Sequence, residues 1–217
     1  MNPNNRQIMV TAIVLMIFGV LGSLLVSVIY EATAEQVAEN ERQTVLTSLH
    51  QLLPADRFDN DLLASQVMLP ADTRLGQSEA SPAYIARKNN AVSAVIFSVI
   101  APDGYSGAIK LLVCINANGT VNGVRVVQHK ETPGLGDWIE TARSQWILGF
   151  NDKSLDIPNA KGWQVKRNGG VFDQFTGATI TPRAVIKAVH QCLLYFDRNR
   201  KDLLGEADAE SDLQERF

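Results

Sequence analysis

A chain of 217 residues, 46% hydrophobic and 20% charged, has material for one membrane segment and one domain of ordinary size. Its formal net charge of −3 argues against nucleic acid as a partner, since that role needs a strongly basic face. The cysteines Cys114 and Cys192 lack metal-ligand spacing and lie in apolar runs, so they read as buried thiols, with a disulfide as the alternative in an oxidising compartment.

Residues 8–30 contain no charged side chain. At helical rise such a run covers roughly 30–35 Å, which matches a bilayer core. Arg6 and the terminal amine precede it and Glu31, Glu35, Glu39 and Glu41 follow, so the positive-inside rule places residues 1–30 as a cytoplasmic tip and transmembrane helix, with the remainder outside. The rival is a cleaved leader ending at Ala32-Thr33-Ala34. The apolar run exceeds the ~7–15 residues of such a leader, which favours a retained anchor. Residues 31–54 read as a helical stalk, in which Val37, Val45, Leu49 and Leu52 or Leu53 recur at helical spacing and Pro54 marks the end. Residues 55–81 are weakly periodic, with Pro70, Gly76 and Pro82 as breakers, and disclose no function.

Beyond them the chain predicts strands over 91–100, 108–115 and 121–128, the last two joined by the hairpin dipeptide Asn118-Gly119. A second hairpin is predicted from 162–166 and 171–175 around Asn168-Gly169-Gly170, and a helix over 138–150 with Asp137 as its cap. The fold class expected is α+β: a single N-terminal membrane helix and stalk, then an antiparallel-sheet domain over 55–200 and a mobile acidic tail over 201–217. Two loops carry glycines. Pro102-Asp103-Gly104-Tyr105-Ser106-Gly107 reads as a turn. In His129-Lys130-Glu131-Thr132-Pro133-Gly134-Leu135-Gly136, the glycines read as permitting unusual backbone angles. An acid–base pair of His129 and Glu131 is the tempting reading there. No third group is in view to orient it, so a solvated loop is preferred.

The string Asp173-Gln174-Phe175-Thr176-Gly177-Ala178-Thr179-Ile180-Thr181-Pro182 places three hydroxyls just before a helix. Thr181 reads as the N-cap and Pro182 as the first helical residue, followed by an apolar stripe of Val185, Val189, Cys192 or Leu193, and Phe196. A first helical turn offers unpaired N–H groups and partial positive charge to a phosphate, and Gly177 and Ala178 are small enough for close approach.

Asp-x-x-(Ser/Thr)-Gly-Ala-Thr, complete at Asp173, Thr176, Gly177, Ala178 and Thr179, resembles the flavinylation motif of FMN-binding subunits in membrane NADH-driven ion pumps. The resemblance implies covalent FMN, held as a phosphoester on the last threonine, Thr179. A threonine hydroxyl is a poor nucleophile with no base beside it, so attachment is expected to need a separate flavin transferase. In the family that enzyme takes FMN from FAD with a divalent metal and recognises the motif, Asp173 included. Together with Gly-Tyr-x-Gly and His-x-Glu-Thr-Pro-Gly-Leu-Gly, the pattern over about 8–196 is similar to RnfG, the G subunit of the Rnf complex. The C subunit of the sodium-translocating NADH:quinone reductase shares the flavin motif but is usually longer. The resemblance implies a pocket of Tyr105, Glu131, Thr132, Leu135 and Gly136 near the ring, with Thr176, Gly177, Ala178 and Thr181 around the attachment point. It also implies a bacterial inner-membrane protein with a periplasmic flavin domain, partnered by the bilayer and by the membrane and iron–sulfur subunits of the complex. Its role would be electron transfer between ferredoxin and NAD chemistry and ion movement, with no catalytic centre beyond the flavin. A non-redox assembly subunit is the competing class.

Overall fold

The computed structural model describes residues 3–205. Two units divide the chain, Met1–Thr44 and Val45–Phe217.

The first unit is helical. Helix α1, Pro3–Leu52, has no break between the expected anchor and stalk. From Ile8 to Tyr30 every large apolar side chain is exposed, and α1 is the one described helix long and apolar enough to cross a membrane. Thr11 Oγ1 donates to the Gln7 carbonyl at 3.0 Å and Thr33 Oγ1 to that of Ile29 at 2.8 Å. Such bonds satisfy hydroxyls within the helix, and for Thr11, inside the apolar run, hydrocarbon surroundings would require it. Past the apolar run, side-chain pairs one turn apart take over: Gln36 with Asn40 at 3.1 Å and Gln43 with Glu39 at 2.8 Å.

The second unit is built on a five-stranded antiparallel sheet in chain order: β1 (Gln66–Leu69), β2 (Ser81–Lys88), β3 (Ala91–Ala101), β4 (Ile109–Asn116) and β5 (Val121–Gln128). Strands β3 to β5 fall where the sequence predicts them. Strands β1 and β2 were not predicted, because Pro82 reads as a breaker. It pairs with Met68 of β1 but lies before Ala83, where pairing with β3 starts, so its missing N–H interrupts no central ladder. Asn89 and Asn90, at φ 51° and 67°, form the two-residue turn between β2 and β3.

Both faces of the sheet are covered, which is why β3 and β4 read as continuous apolar runs. Ile109, Leu111, Val113 and Ile115 of β4 face a core shared with α2 (Ile180–Arg198), where Phe97 meets Tyr195 and Phe196 edge-on at 6.0 and 6.3 Å. Leu112 and Cys114 face the other way, onto Leu49, Leu52 and Leu53 at the end of α1. Cys114 and Cys192 are therefore free thiols in separate cores, one on each face of the sheet, and the disulfide alternative is excluded. Burial pushes the Cys114 thiol up to about 12 and raises that of Cys192 as well.

The long connection from β5 to α2 departs from expectation. In place of one helix over 138–150 there are two short 3₁₀ turns, Asp137–Ile139 and Trp146–Phe150. Glu140 is extended between them (φ −79°, ψ 139°), and Ser144 Oγ bonds Trp138 O and Trp146 N–H, diverting the backbone from helix. The second predicted hairpin is likewise absent. Residues Ala160–Gly162 and Lys166–Asn168 form 3₁₀ turns, linked to the chain beyond by a parallel bridge, Val165 to Phe172. These turns deliver Phe150, Trp163 and Phe172 into one aromatic cluster, with Phe150 and Phe172 stacked at 4.6 Å. The first residues assigned to the tail form α3, Arg200–Leu204, while residues 206–217 lie outside the described ones.

His190 of α2 stacks on Trp163 at 5.2 Å with the rings 9° apart, and burial lowers its pKa below the usual 6.5. The unfolded chain thus binds a proton that the folded chain resists. His190 is expected to cost stability as pH falls below about 6.5, a loss absent above it. Thermal melts of the parent and His190→Gln at pH 7.5 and 5.5 check this, with a smaller acid-side drop expected for the variant.

Candidate functional site

Three segments converge at the start of α2: the turn after β3, the loop after β5, and the string ending at Thr179. They enclose an open cavity of about 260 Å³ lined by Tyr105, Glu131, Thr132, Leu135, Gly136, Gly177, Ala178, Thr179, Ile180 and Thr181. That is slightly below the ~300–1,000 Å³ usual for small-molecule sites, so it would line a cofactor-sized ligand rather than engulf it.

The helix begins one residue pair earlier than the sequence suggests. α2 starts at Ile180, so Thr179 and not Thr181 is the capping position, and Pro182 sits at the third helical place. Proline is tolerated there because a first-turn N–H has no partner inside the helix. Thr181 is fully buried, and its hydroxyl donates to Glu131 Oε2. Thr179, half-buried, has no side-chain capping bond and lines the cavity. The capping position thus moves from Thr181 to Thr179, while the Thr181 hydroxyl is still the occupied one, held by Glu131 rather than by a backbone N–H.

Glu131 is 4% exposed, while Lys130 and residues 132–135 around it are exposed as a solvated loop would be. One carboxylate oxygen accepts the Ser106 N–H at 2.9 Å and the other the Thr181 hydroxyl. His129 does not pair with that carboxylate. Its Nδ1 accepts the backbone N–H of Glu131 at 3.0 Å, and its Nε2 bonds Glu140 Oε1 at 2.6 Å. Glu140 is the orienting group missing from the sequence view. It lies 11 residues beyond His129, inside the span expected to be helical, where the structure has it extended.

The two glycines of this loop serve different needs. Gly134 has φ +77°, a left-handed turn. Gly136 has an ordinary φ of −93°, and its constraint is space: a Cβ there would lie 2.9 Å from Glu131 Oε2 and 3.2 Å from Thr181 Oγ1. Asp137 caps no long helix. Buried, it accepts the Gly134 N–H at 2.8 Å and meets Arg143 at 3.3 Å, tying the loop down. Thr132 contributes its carbonyl to the N–H groups of Leu135 and Gly136 at 3.1 and 3.0 Å. Gly177, at φ +83°, turns the chain into the cavity wall next to Leu135.

Among the residues singled out from sequence, Thr176 and Asp173 stand outside the cavity lining, both exposed. Asp173 pairs with Lys166 at 2.6 Å, and its carbonyl accepts Trp146 Nε1 at 2.8 Å. Sequence reading missed Ile180, which lines the cavity, and Ser106, whose backbone N–H anchors Glu131. A backbone donor leaves no mark on residue type, but Ile180 was legible as an apolar residue at a helix start.

Residues 104–194 match the model of a family described as FMN-binding domain, and residues 1–52 match one described as RnfG N-terminal region. Curated relatives are named as the G subunit of the ion-translocating oxidoreductase complex. One from Pseudomonas aeruginosa is 50% identical over 94% of this chain and 95% of its own length. Another from Vibrio atlanticus is 45% identical over 89% and 92%, and one from Shewanella loihica 43% over 92% and 94%. The chain belongs to the RnfG family, the G subunits of ion-translocating oxidoreductase complexes.

The cavity suits the FMN that this family's domain description implies. At one end the first turn of α2 offers N–H groups and partial positive charge to a phosphate. Around it, Leu135, Ile180 and Tyr105 leave 44%, 46% and 69% of their surface exposed. Three large apolar side chains bared around one cavity provide surface that a planar ring would cover.

Proposed function

We propose that this RnfG homologue carries electrons within a membrane complex, using FMN joined to Thr179 through a phosphoester. The observation that carries the attachment is the contrast between two hydroxyls: Thr179 lines the cavity with no capping bond, while that of Thr181 is buried against Glu131. Leu135 and Tyr105 would cover the ring, and the start of α2 would hold the phosphate. When bound, FMN supplies electron exchange through an isoalloxazine ring left unmodified by attachment at the phosphate. The chain itself provides no independent catalytic centre beyond it.

No side-chain base is hydrogen-bonded to Thr179 among the described residues, which favours maturation by a separate flavin transferase that recognises Asp173. In that transfer the Thr179 oxygen bonds to the flavin-side phosphorus of FAD, the pyrophosphate bond breaks, AMP leaves, and the threonine proton passes to the transferase. Residues 1–30 serve as cytoplasmic tip and anchor and the helix beyond them as stalk, its last turn built into the core of a periplasmic flavin domain that faces membrane and iron–sulfur subunits. Coupling of ferredoxin and NAD redox chemistry to ion movement belongs to the whole complex.

The test is to purify the full chain from cells with and without the transferase and measure its mass. A gain equal to FMN as an ester, mapped to the peptide containing Thr179 and dependent on the transferase, is expected. An unmodified mass in both preparations would favour the non-redox assembly role. A reporter active only in the periplasm, fused after Phe196, is expected to work, and activity of a cytoplasm-only reporter there would reverse the topology.

A further inference from the structure

We infer that Glu131 is a positioning residue, one that sets the start of α2 so that the Thr179 hydroxyl is presented for modification. This rests on the attachment reading above. The resemblance put Glu131 beside the flavin ring, but both of its carboxylate oxygens are already engaged within the protein. Oε1 accepts the Ser106 N–H at 2.9 Å and Oε2 accepts the Thr181 hydroxyl. These bonds join the turn after β3, the loop after β5 and the first turn of α2, the three segments that enclose the cavity.

The surrounding residues are shaped to this carboxylate. A Cβ on Gly136 would lie 2.8 Å from Glu131 Cβ and 2.9 Å from Oε2, so this glycine makes room for it, and one on Gly104 would lie 3.0 Å from Oε1 and still closer to the Gly107 carbonyl. Its backbone is fixed as well, by the N–H donated to His129 Nδ1 at 3.0 Å, with His129 held in turn by Glu140. Thr181 lies two residues beyond Thr179 and is fully buried. Fixing its side chain therefore fixes where the helix starts and which hydroxyl remains outside. A buried carboxylate bonded to two donors is also costly to disturb, since removing it strands both donors.

The chemistry separates a positional tie from a requirement for charge. In Glu131→Gln, the amide oxygen can accept from Ser106 while the NH₂ donates to the Thr181 oxygen, so the tie survives without the charge. In Glu131→Ala it is lost.

The experiment supplies full-length chain in detergent with the flavin transferase, FAD and a divalent metal, and follows the mass gain over time. Thermal melts of each variant run alongside. The parent and Glu131→Gln are expected to load at similar rates, and Glu131→Ala about tenfold more slowly, the scale of losing a buried hydrogen bond to a charged group. Glu131→Ala loading as fast as the parent would overturn the inference, and so would Glu131→Gln as slow as Glu131→Ala. Should Glu131→Ala lose its thermal transition, Thr181→Val and Thr181→Ser decide. Slow loading of the valine variant with parental loading of the serine variant supports the tie, while equal rates refute it. Failure of the parent to load at Thr179 would instead strike the attachment reading itself.

Discussion

Thr179→Val is expected to remove covalent flavin completely while leaving the domain folded. Valine keeps the shape of threonine and replaces the one atom through which an ester can form. The helix start does not depend on that atom, because Thr179 makes no side-chain capping bond. α2 is instead held by its buried face, including Val185, Val189, Cys192, Leu193 and Phe196, none of which the substitution touches. Fluorescence of the band after denaturing electrophoresis should fall to background, with far-ultraviolet dichroism and melting temperature close to parental. Thr176→Val, altering an exposed hydroxyl outside the cavity lining, should leave the signal intact. Persistent fluorescence in Thr179→Val, with loss in Thr176→Val, would move the attachment to the other threonine.

A second large effect is expected from where a soluble version of the domain is made to begin. The stretch that reads as the end of a stalk is part of the core: Leu49, Leu52 and Leu53 are 1%, 2% and 0% exposed. They cover Tyr84, Ala94, Ile96, Leu112 and Cys114 on the sheet face away from the cavity. Polar bonds add to the attachment, from Asn122 to the Leu52 carbonyl and from Arg125 to Gln51 at 3.2 Å. Truncating a buried leucine to alanine costs about 2–5 kcal/mol, so removing three is worth roughly 6–15 kcal/mol. That equals the entire stability of a typical domain, about 5–15 kcal/mol. A chain beginning at Val45 should melt cooperatively, and one beginning at Ala55 should show no sharp transition. A cooperative melt at similar temperature for the shorter chain would show that this face needs no helix.

What could be read in advance follows from how locally each feature is encoded. Strands β3 to β5 announce themselves through apolar runs and Asn118-Gly119, and the last helix through its stripe from Val185 to Phe196. The residues gathered at the cavity were largely identifiable as well, because their motifs are short and contiguous. The segment 129–178 resisted because its course is set by contacts distant in sequence. Asp137 looks like a cap until its bonds to Gly134 and Arg143 are seen, and the Trp163 and Phe172 runs look like a hairpin until both rings are found in one core. The burial of Thr181 has the same origin. Thr-Pro is an ordinary helix opening, and only the burial of Glu131, 50 residues upstream of Thr181, draws the second hydroxyl inward. Glycine was ambiguous for a related reason, since Gly134 answers a backbone angle and Gly136 a neighbour's bulk.

The strand order β1-β2-β3-β4-β5 bears on the timing of maturation. Each strand pairs with the one made just before it, so the sheet can assemble progressively as the chain emerges, with little loop closure at each step. α2 comes after all of them, and its share of one sheet face, around Phe97, stays bare until it lands. The cavity wall from Gly177 to Thr181 is part of that final arrival. A chain whose α2 has not yet packed therefore lacks the finished cavity wall, so loading at Thr179, if it follows the reading proposed above, is expected only after the core is complete.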